Sequence, residues 1–86
     1  METYTLYQFP SCPFCQRVHR YLRESGIELP QKNILEDDAA YRELVEGGGE
    51  SQVPCLRIED EKGVRWLYES LDIIDYLRTR FTKSAM

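Results

Sequence analysis

Residues Thr3–Val18 read TYTLYQFPSCPFCQRV, and this stretch decides the fold because it leads from a strand into a helix. Thr3–Phe9 is apolar and aromatic on both faces, which predicts a central strand. Pro13 suits the first turn of a helix because its missing N–H would have no intrahelical partner there. The two cysteines, Cys12 and Cys15, are therefore expected where the first strand gives way to the first helix.

The first helix is predicted to end at Gly26, which can adopt the left-handed conformation of a helix C-cap. Its buried stripe is predicted from residues that recur with helical spacing: Phe14, Val18, Tyr21, Leu22 and Ser25. The segment that follows, Ile27–Ile34, contains a proline and has weaker patterning, which predicts an edge strand.

The second half of the chain predicts a helix, a hairpin and a last helix. Acidic residues at 36–38 favour a helix N-terminus, and the glycines at 47–49 end that helix. Pro54–Ile58 and Val64–Tyr68 are predicted strands that a turn joins. Ser70 is predicted to cap the last helix, whose expected apolar face contains Leu71, Ile73, Ile74, Leu77 and Phe81.

The resulting order, βαβαββα, predicts an α/β fold of the thioredoxin-like architecture. A helical crossover makes the first two strands parallel and a hairpin adds two antiparallel strands, which gives a four-stranded mixed sheet flanked by three helices. With 86 residues, positions 1–86 are expected to form a single domain with a modest core.

The composition narrows the class of protein. The net charge is -4 and the basic residues are scattered, so a nucleic-acid partner is not expected. No apolar run approaches the roughly 18–20 residues of a membrane helix, and the start lacks the features of a signal peptide, so a cytoplasmic monomer is expected. Three cysteines do not form a disulfide framework and indicate thiol chemistry or metal binding instead.

The chemistry is expected at Cys12, which would lie at the N-cap with the free N–H groups of the first helical turn directed at its sulfur. Cys15, three residues on, would lie on the same face and further inside. The helix dipole stabilises a thiolate there by roughly 0.3–2 kcal/mol, and direct N–H hydrogen bonds must add the rest. The main gain is in Cys12 as a leaving group, which suits a thiol shuttle.

Three motifs carry a resemblance to a known family. The residues Cys12-Pro13-Phe14-Cys15 resemble the motif of dithiol glutaredoxins. Val53-Pro54 resembles the loop before the third strand of thioredoxin-like proteins, in which the proline is cis. Glu69-Ser70, followed by Ile73, Ile74, Tyr76 and Leu77, is similar to the glutathione transferase N-terminal domain. The chain thus resembles the glutaredoxins built on a transferase-like domain.

The resemblance implies a glutathione-dependent thiol–disulfide oxidoreductase that acts on glutathione mixed disulfides and protein disulfides. Cys12 would be the nucleophile and Cys15 the resolving thiol, with glutathione as co-substrate and no metal. Glutathione itself would be bound by Pro13, Phe14, Gln52, Val53, Pro54, Glu69 and Ser70. Glu69 would meet its α-ammonium group, and Ser70 at a helix start its α-carboxylate.

The sequence also departs from the family pattern. Phe9 and Pro10 stand where glutaredoxins usually have a lysine before the first cysteine. The residue that holds the glycine carboxylate of glutathione is therefore left open among Gln52, Arg17 and Lys32.

Other interpretations of the site remain open. One is a glutathione-binding module without catalysis, and another is a carrier of an iron–sulfur cluster shared by two chains and ligated by Cys12 and glutathione thiols. Zinc ligation by Cys12, Cys15, His19 and Cys55 is disfavoured because Cys12 faces the helix start and His19 lies more than one turn further along. Cys55 is interpreted as a small buried strand residue, with a redox role as the alternative.

Overall fold

The chain alternates strands and helices in the order that its sequence predicts. The computed structural model describes residues 2–81. The elements are β1 (Thr3–Gln8), α1 (Pro13–Ser25), β2 (Gln31–Asn33), α2 (Asp38–Glu43), β3 (Cys55–Asp60), β4 (Gly63–Leu67) and α3 (Ser70–Phe81).

One four-stranded sheet has the strand order β2-β1-β3-β4. In its centre, Leu6 of β1 pairs with Gln31 in the parallel strand β2 and with Leu56 in the antiparallel strand β3. The strand β4 pairs only with β3, so β2 and β4 form the two edges. The predicted α/β fold, with a central first strand and a mixed sheet, is confirmed.

Successive residues of β1 face opposite sides of the sheet, and each side has its own buried cluster. One cluster joins β1 and β3 to α1 and α3; it contains Leu6, Val18, Leu22, Leu56, Ile58, Ile73, Ile74 and Leu77. The other contains all three cysteines together with Tyr7, Ile34, Ala40, Leu44 and Val53. The cysteines therefore belong to the core on the α2 side of the sheet.

Glu2 fastens the start of β1 to α3 and β4. Its carboxylate accepts hydrogen bonds from the hydroxyls of Tyr4 (2.6 Å) and Tyr76 (2.7 Å). It also forms ion pairs with Arg65 (3.0 Å) and Arg80 (3.4 Å). These four partners hold the pKa of Glu2 below its ordinary value, chiefly through the two tyrosine hydroxyls.

The predicted edge strand is shorter than expected, because β2 contains only three residues. The segment before it closes α1 instead: Gly26 takes a left-handed conformation with φ 73°, and the N–H of Ile27 donates to Leu22 O at 3.1 Å. Pro30 follows, and its missing N–H limits pairing.

The second helix begins as expected and ends in an unexpected way. Asp37 is its N-cap and accepts a hydrogen bond from the Ala40 N–H at 3.1 Å. Past α2, residues Leu44–Gly48 form a π-helical turn, and Gly49 ends it in the left-handed region with φ 92°. A Cβ at Gly48 would collide with the Tyr68 hydroxyl, so this close packing needs glycine.

Four predicted core positions are wrong. Phe14 and Leu71 are 56% and 63% exposed, and Ser25 and Phe81 are exposed as well. Phe14 and Leu71 lie in the opening turns of α1 and α3, where they face a cleft described below. Helical spacing identified the stripe of each helix but not which of its residues the core covers.

Candidate functional site

The start of α1 positions Cys12 as its N-cap, with Pro13 as the first helical residue. The backbone N–H of Cys15 donates to Cys12 Sγ at 3.4 Å. The Cys12 thiol donates to the carbonyl oxygen of Val53 at 3.8 Å. The first sulfur thus lies at the opening of an early helix and faces the proline loop, as the sequence predicts.

Cys15 lies behind Cys12 and is completely buried. Burial raises the pKa of its thiol to about 12, opposed in part by a backbone hydrogen bond at Phe9. All three cysteines are free thiols. Cys15 is therefore a neutral thiol near pH 7 and a poor nucleophile until it loses its proton.

The third cysteine, Cys55, opens β3 directly after Pro54 and pairs in register with Tyr7 of β1. It is fully buried, and burial raises the pKa of its thiol to about 12, opposed in part by the Tyr68 hydroxyl. These properties fit the interpretation of Cys55 as a small buried strand residue.

The loop before β3 contains the Val53–Pro54 peptide, which is cis as the resemblance implies. Tyr68 ties this loop to the preceding turn: its hydroxyl accepts from the Glu50 N–H at 3.3 Å and lies 3.2 Å from Glu50 O and 3.4 Å from Leu44 O. A single phenol therefore connects the π-helical turn to the loop that carries Val53.

A small cleft of ≈ 120 Å³ lies between the start of α1, the proline loop and the start of α3. It brings together six of the seven predicted glutathione-binding residues, namely Phe14, Gln52, Val53, Pro54, Glu69 and Ser70, whereas Pro13 does not line it. Its remaining lining residues are Arg17, Tyr68 and Leu71. Sequence reasoning missed Tyr68 and Leu71, although each adjoins the Glu69-Ser70 motif in the chain.

The predicted cap of α3 is wrong by one residue. The Ile73 N–H donates to Glu69 O at 2.9 Å, so Glu69 occupies the N-cap position and Ser70 is the first helical residue. The Ser70 hydroxyl instead accepts a hydrogen bond from Arg17 Nη1 at 3.4 Å. Ser70 therefore joins α3 to α1 across the cleft.

The three candidates for the glycine carboxylate lie in different places. Arg17 and Gln52 line the cleft, whereas Lys32 forms an ion pair with Glu43 at 2.9 Å and stands over the ring of Tyr7. Lys32 belongs to a different surface depression, on the α2 side of the sheet.

The four residues of the zinc interpretation do not gather into a metal site. Within residues 2–81, no three histidine, cysteine or acidic side chains form a group that could hold a metal ion.

Across the same residues, no helix has the length and apolar character that crossing a membrane requires. A larger open depression of ≈ 640 Å³ lies along the second half of α1, where His19 and Arg23 line it, and no cysteine is among its lining residues.

The fold, with a cysteine pair at the start of α1 and a cis proline opposite, defines a thioredoxin-like protein. The chain belongs to the family of the glutathione S-transferase N-terminal domain, whose model matches residues 6–85.

Two relatives illustrate the range of that likeness. An uncharacterised glutaredoxin-like 8.6 kDa protein of the rubredoxin operon of Clostridium pasteurianum is 28% identical over 54 residues, which are 63% of this chain and 72% of the relative. Pyrimidodiazepine synthase of Drosophila melanogaster is 37% identical over 79 residues, which are 88% of this chain but 31% of the synthase.

Solved structures show the same fold. Glutathione transferase Omega 2C of Trametes versicolor superposes with a TM-score of 0.71 at 25% identity, over 98% of this chain and 41% of that one. Glutaredoxin of Brucella melitensis superposes with a TM-score of 0.57 at 18% identity, over 96% of this chain and 85% of that one. The family match and the glutaredoxin-like relative support a glutathione-related redox or transferase function.

Proposed function

We propose that this protein is a glutathione-dependent thiol–disulfide oxidoreductase of the glutaredoxin type, with Cys12 as its nucleophile. The observation that carries the proposal is the position of the Cys12 sulfur, which accepts the Cys15 N–H and touches the Val53 carbonyl. We further propose that it works as a monomer in the cytoplasm, where thiols are kept reduced.

In the first step, the Cys12 thiolate attacks the glutathione sulfur of a mixed disulfide. A disulfide forms between Cys12 and glutathione, and the other sulfur leaves as a thiolate that takes a proton from water. The N–H of Cys15, already directed at the sulfur at 3.4 Å, stabilises the Cys12 anion before attack.

In the second step, the thiolate of another glutathione molecule attacks the glutathione sulfur of the Cys12 mixed disulfide. Oxidised glutathione is released and Cys12 leaves as a thiolate, so the site returns to its starting state. The same hydrogen bond now stabilises the leaving group. Gln52, Val53, Glu69 and Ser70 of the cleft hold the glutathionyl moiety during both steps.

Cys15 has the slower role of resolving protein disulfides. Burial raises the pKa of its thiol to about 12, so the neutral form predominates near pH 7. We therefore assign the release of small mixed disulfides to the second glutathione and leave Cys15 for protein disulfides.

Turnover of a small glutathione mixed disulfide by the Cys12→Ser and Cys15→Ser variants tests the proposal. Cys12→Ser is expected to abolish turnover, whereas Cys15→Ser should retain most of it. Equal loss in both variants would contradict the mechanism. Glutathione binding without turnover by the unmodified protein would instead indicate a binding module, and a brown protein after anaerobic purification with glutathione would indicate a cluster carrier.

A further inference from the structure

Arg17 reaches across the cleft from α1 to the start of α3. Its Nη1 donates to the Ser70 hydroxyl at 3.4 Å, and its guanidinium lies 5.7 Å from the centre of the Phe14 ring. Both contacts hold the guanidinium at one end of the cleft, next to the Glu69-Ser70 corner. From the sequence alone, Arg17 is only one of three candidates for the glycine carboxylate.

The guanidinium has unused hydrogen-bonding capacity. Among residues 2–81, no carboxylate forms an ion pair with Arg17, and of its five N–H donors one is engaged with Ser70. Glu69 lines the same cleft. The Glu69-Ser70 corner therefore offers a cation and an anion together, which matches a ligand end that carries an ammonium and a carboxylate group.

We propose that Arg17 binds the α-carboxylate of the γ-glutamyl residue of glutathione, so that this arginine makes the site selective for that end of the tripeptide. A guanidinium presents two parallel N–H groups that fit a carboxylate, and the N-terminus of α3 adds a favourable dipole. Ser70 orients the arginine, and Glu69 is left for the α-ammonium group. The inference rests on the proposed function and assigns the selectivity of the same site.

Two analogues of glutathione separate these contacts. In 4-aminobutyryl-Cys-Gly the α-carboxylate is missing, and in glutaryl-Cys-Gly the α-ammonium is missing. Arg17→Gln is expected to raise KM for glutathione about 10–100-fold, the range of one lost charge-assisted contact, with kcat nearly unchanged. The same variant should leave KM for 4-aminobutyryl-Cys-Gly unchanged, because that analogue lacks the α-carboxylate and retains only the glycine carboxylate.

Matched variants serve as controls. Glu69→Gln should show the reverse pattern, with a penalty for glutathione that vanishes with glutaryl-Cys-Gly. Arg20 is an exposed arginine further along α1, and Arg20→Gln should change neither KM nor kcat. If Arg17→Gln raises KM for glutathione and for both analogues by one common factor, Arg17 has a structural role or contacts a part that all three share, such as the glycine carboxylate, and the inference is overturned.

A binding measurement separates failure of this inference from failure of the proposed function. If the unmodified protein turns over no mixed disulfide, calorimetric titration with S-methylglutathione still reports binding to the cleft. A 10–100-fold weaker Kd for Arg17→Gln alone would support the inference without catalysis, and equal affinities in both proteins would refute it.

Discussion

The Cys12 thiol lies 3.8 Å from the Val53 carbonyl oxygen, although 41 residues separate the two in sequence. A thiolate has no proton to donate to a carbonyl, so ionisation of Cys12 removes this hydrogen bond. The hydrogen bond from the Cys15 N–H becomes stronger at the same time. The presence of a proton on the Cys12 sulfur therefore decides whether this sulfur is hydrogen-bonded to the proline loop.

Nuclear magnetic resonance can follow this exchange of partners. A Cys12 sulfur held in a mixed disulfide also has no proton to donate, so the carbonyl carbon of Val53 is expected to shift when Cys12 is glutathionylated, and Cys12→Ser should remove that shift. Cys15→Ser retains its backbone N–H and should retain the shift. A Val53 carbonyl that does not move when Cys12 is modified would contradict the contact.

Alkylation should distinguish the three thiols. Burial raises the pKa of both Cys15 and Cys55 to about 12, so each remains a neutral thiol at pH 7.5. Mass spectrometry after iodoacetamide treatment of the native protein at that pH should show one addition, at Cys12, and three additions in denaturant. Modification of native Cys55 before Cys12 would show that the buried thiols are wrongly assigned.

Glu2 is expected to make stability depend on acid pH. Because the pKa of its carboxyl is lowered in the folded protein, Glu2 stabilises the fold above its ordinary pKa of about 4.3, and this contribution is lost as the pH falls. Glu2→Gln should lower the free energy of unfolding by about 1 kcal/mol at pH 7 and by much less near pH 3.

Urea unfolding at several pH values would measure the effect of Glu2. Glu24→Gln, at an exposed position on α1, is the matched control and should change little at any pH. A constant loss in Glu2→Gln from pH 7 to pH 3 would mean that the charge of Glu2 is not the cause.

Gly48 tests the link between the π-helical turn and the proline loop. In Gly48→Ala, the added Cβ would collide with the Tyr68 hydroxyl, which also binds Glu50. We expect a loss of about 1–3 kcal/mol in the free energy of unfolding and a higher KM for glutathione. Thermal unfolding measures the loss of stability, and steady-state kinetics measure KM for glutathione. Glu46→Ala, at an exposed position on the same turn, should leave KM unchanged.

The sequence predicts well the features that depend on neighbouring residues. Pro13 and Gly26 determine where α1 begins and ends, and the position of Cys12 follows from them. The cis peptide at Pro54 has a different basis, because it was expected only from the family resemblance. Only the first kind of signal is contained in the segment itself, because an X–Pro bond taken alone prefers the trans form.

The mistakes concern features that tertiary packing decides. Phe14 has helical spacing with the core, but in the first turn of α1 the core covers Cys15 and leaves Phe14 exposed beside the cleft. Ser70 has the chemistry of a cap, yet its hydroxyl binds Arg17, which is 53 residues away in sequence. The π-helical turn depends on the fit of Gly48 beneath Tyr68. No local pattern contains these distant partners.

The two edge strands of the sheet affect how readily copies of the protein associate at high concentration. One margin is β2, only three residues long and carrying Lys32, and the other is β4, which carries Arg65. Short, charged outer strands are poor templates for strand addition by a neighbouring molecule. The lengths and charges of β2 and β4 therefore disfavour edge-to-edge pairing between copies of this domain.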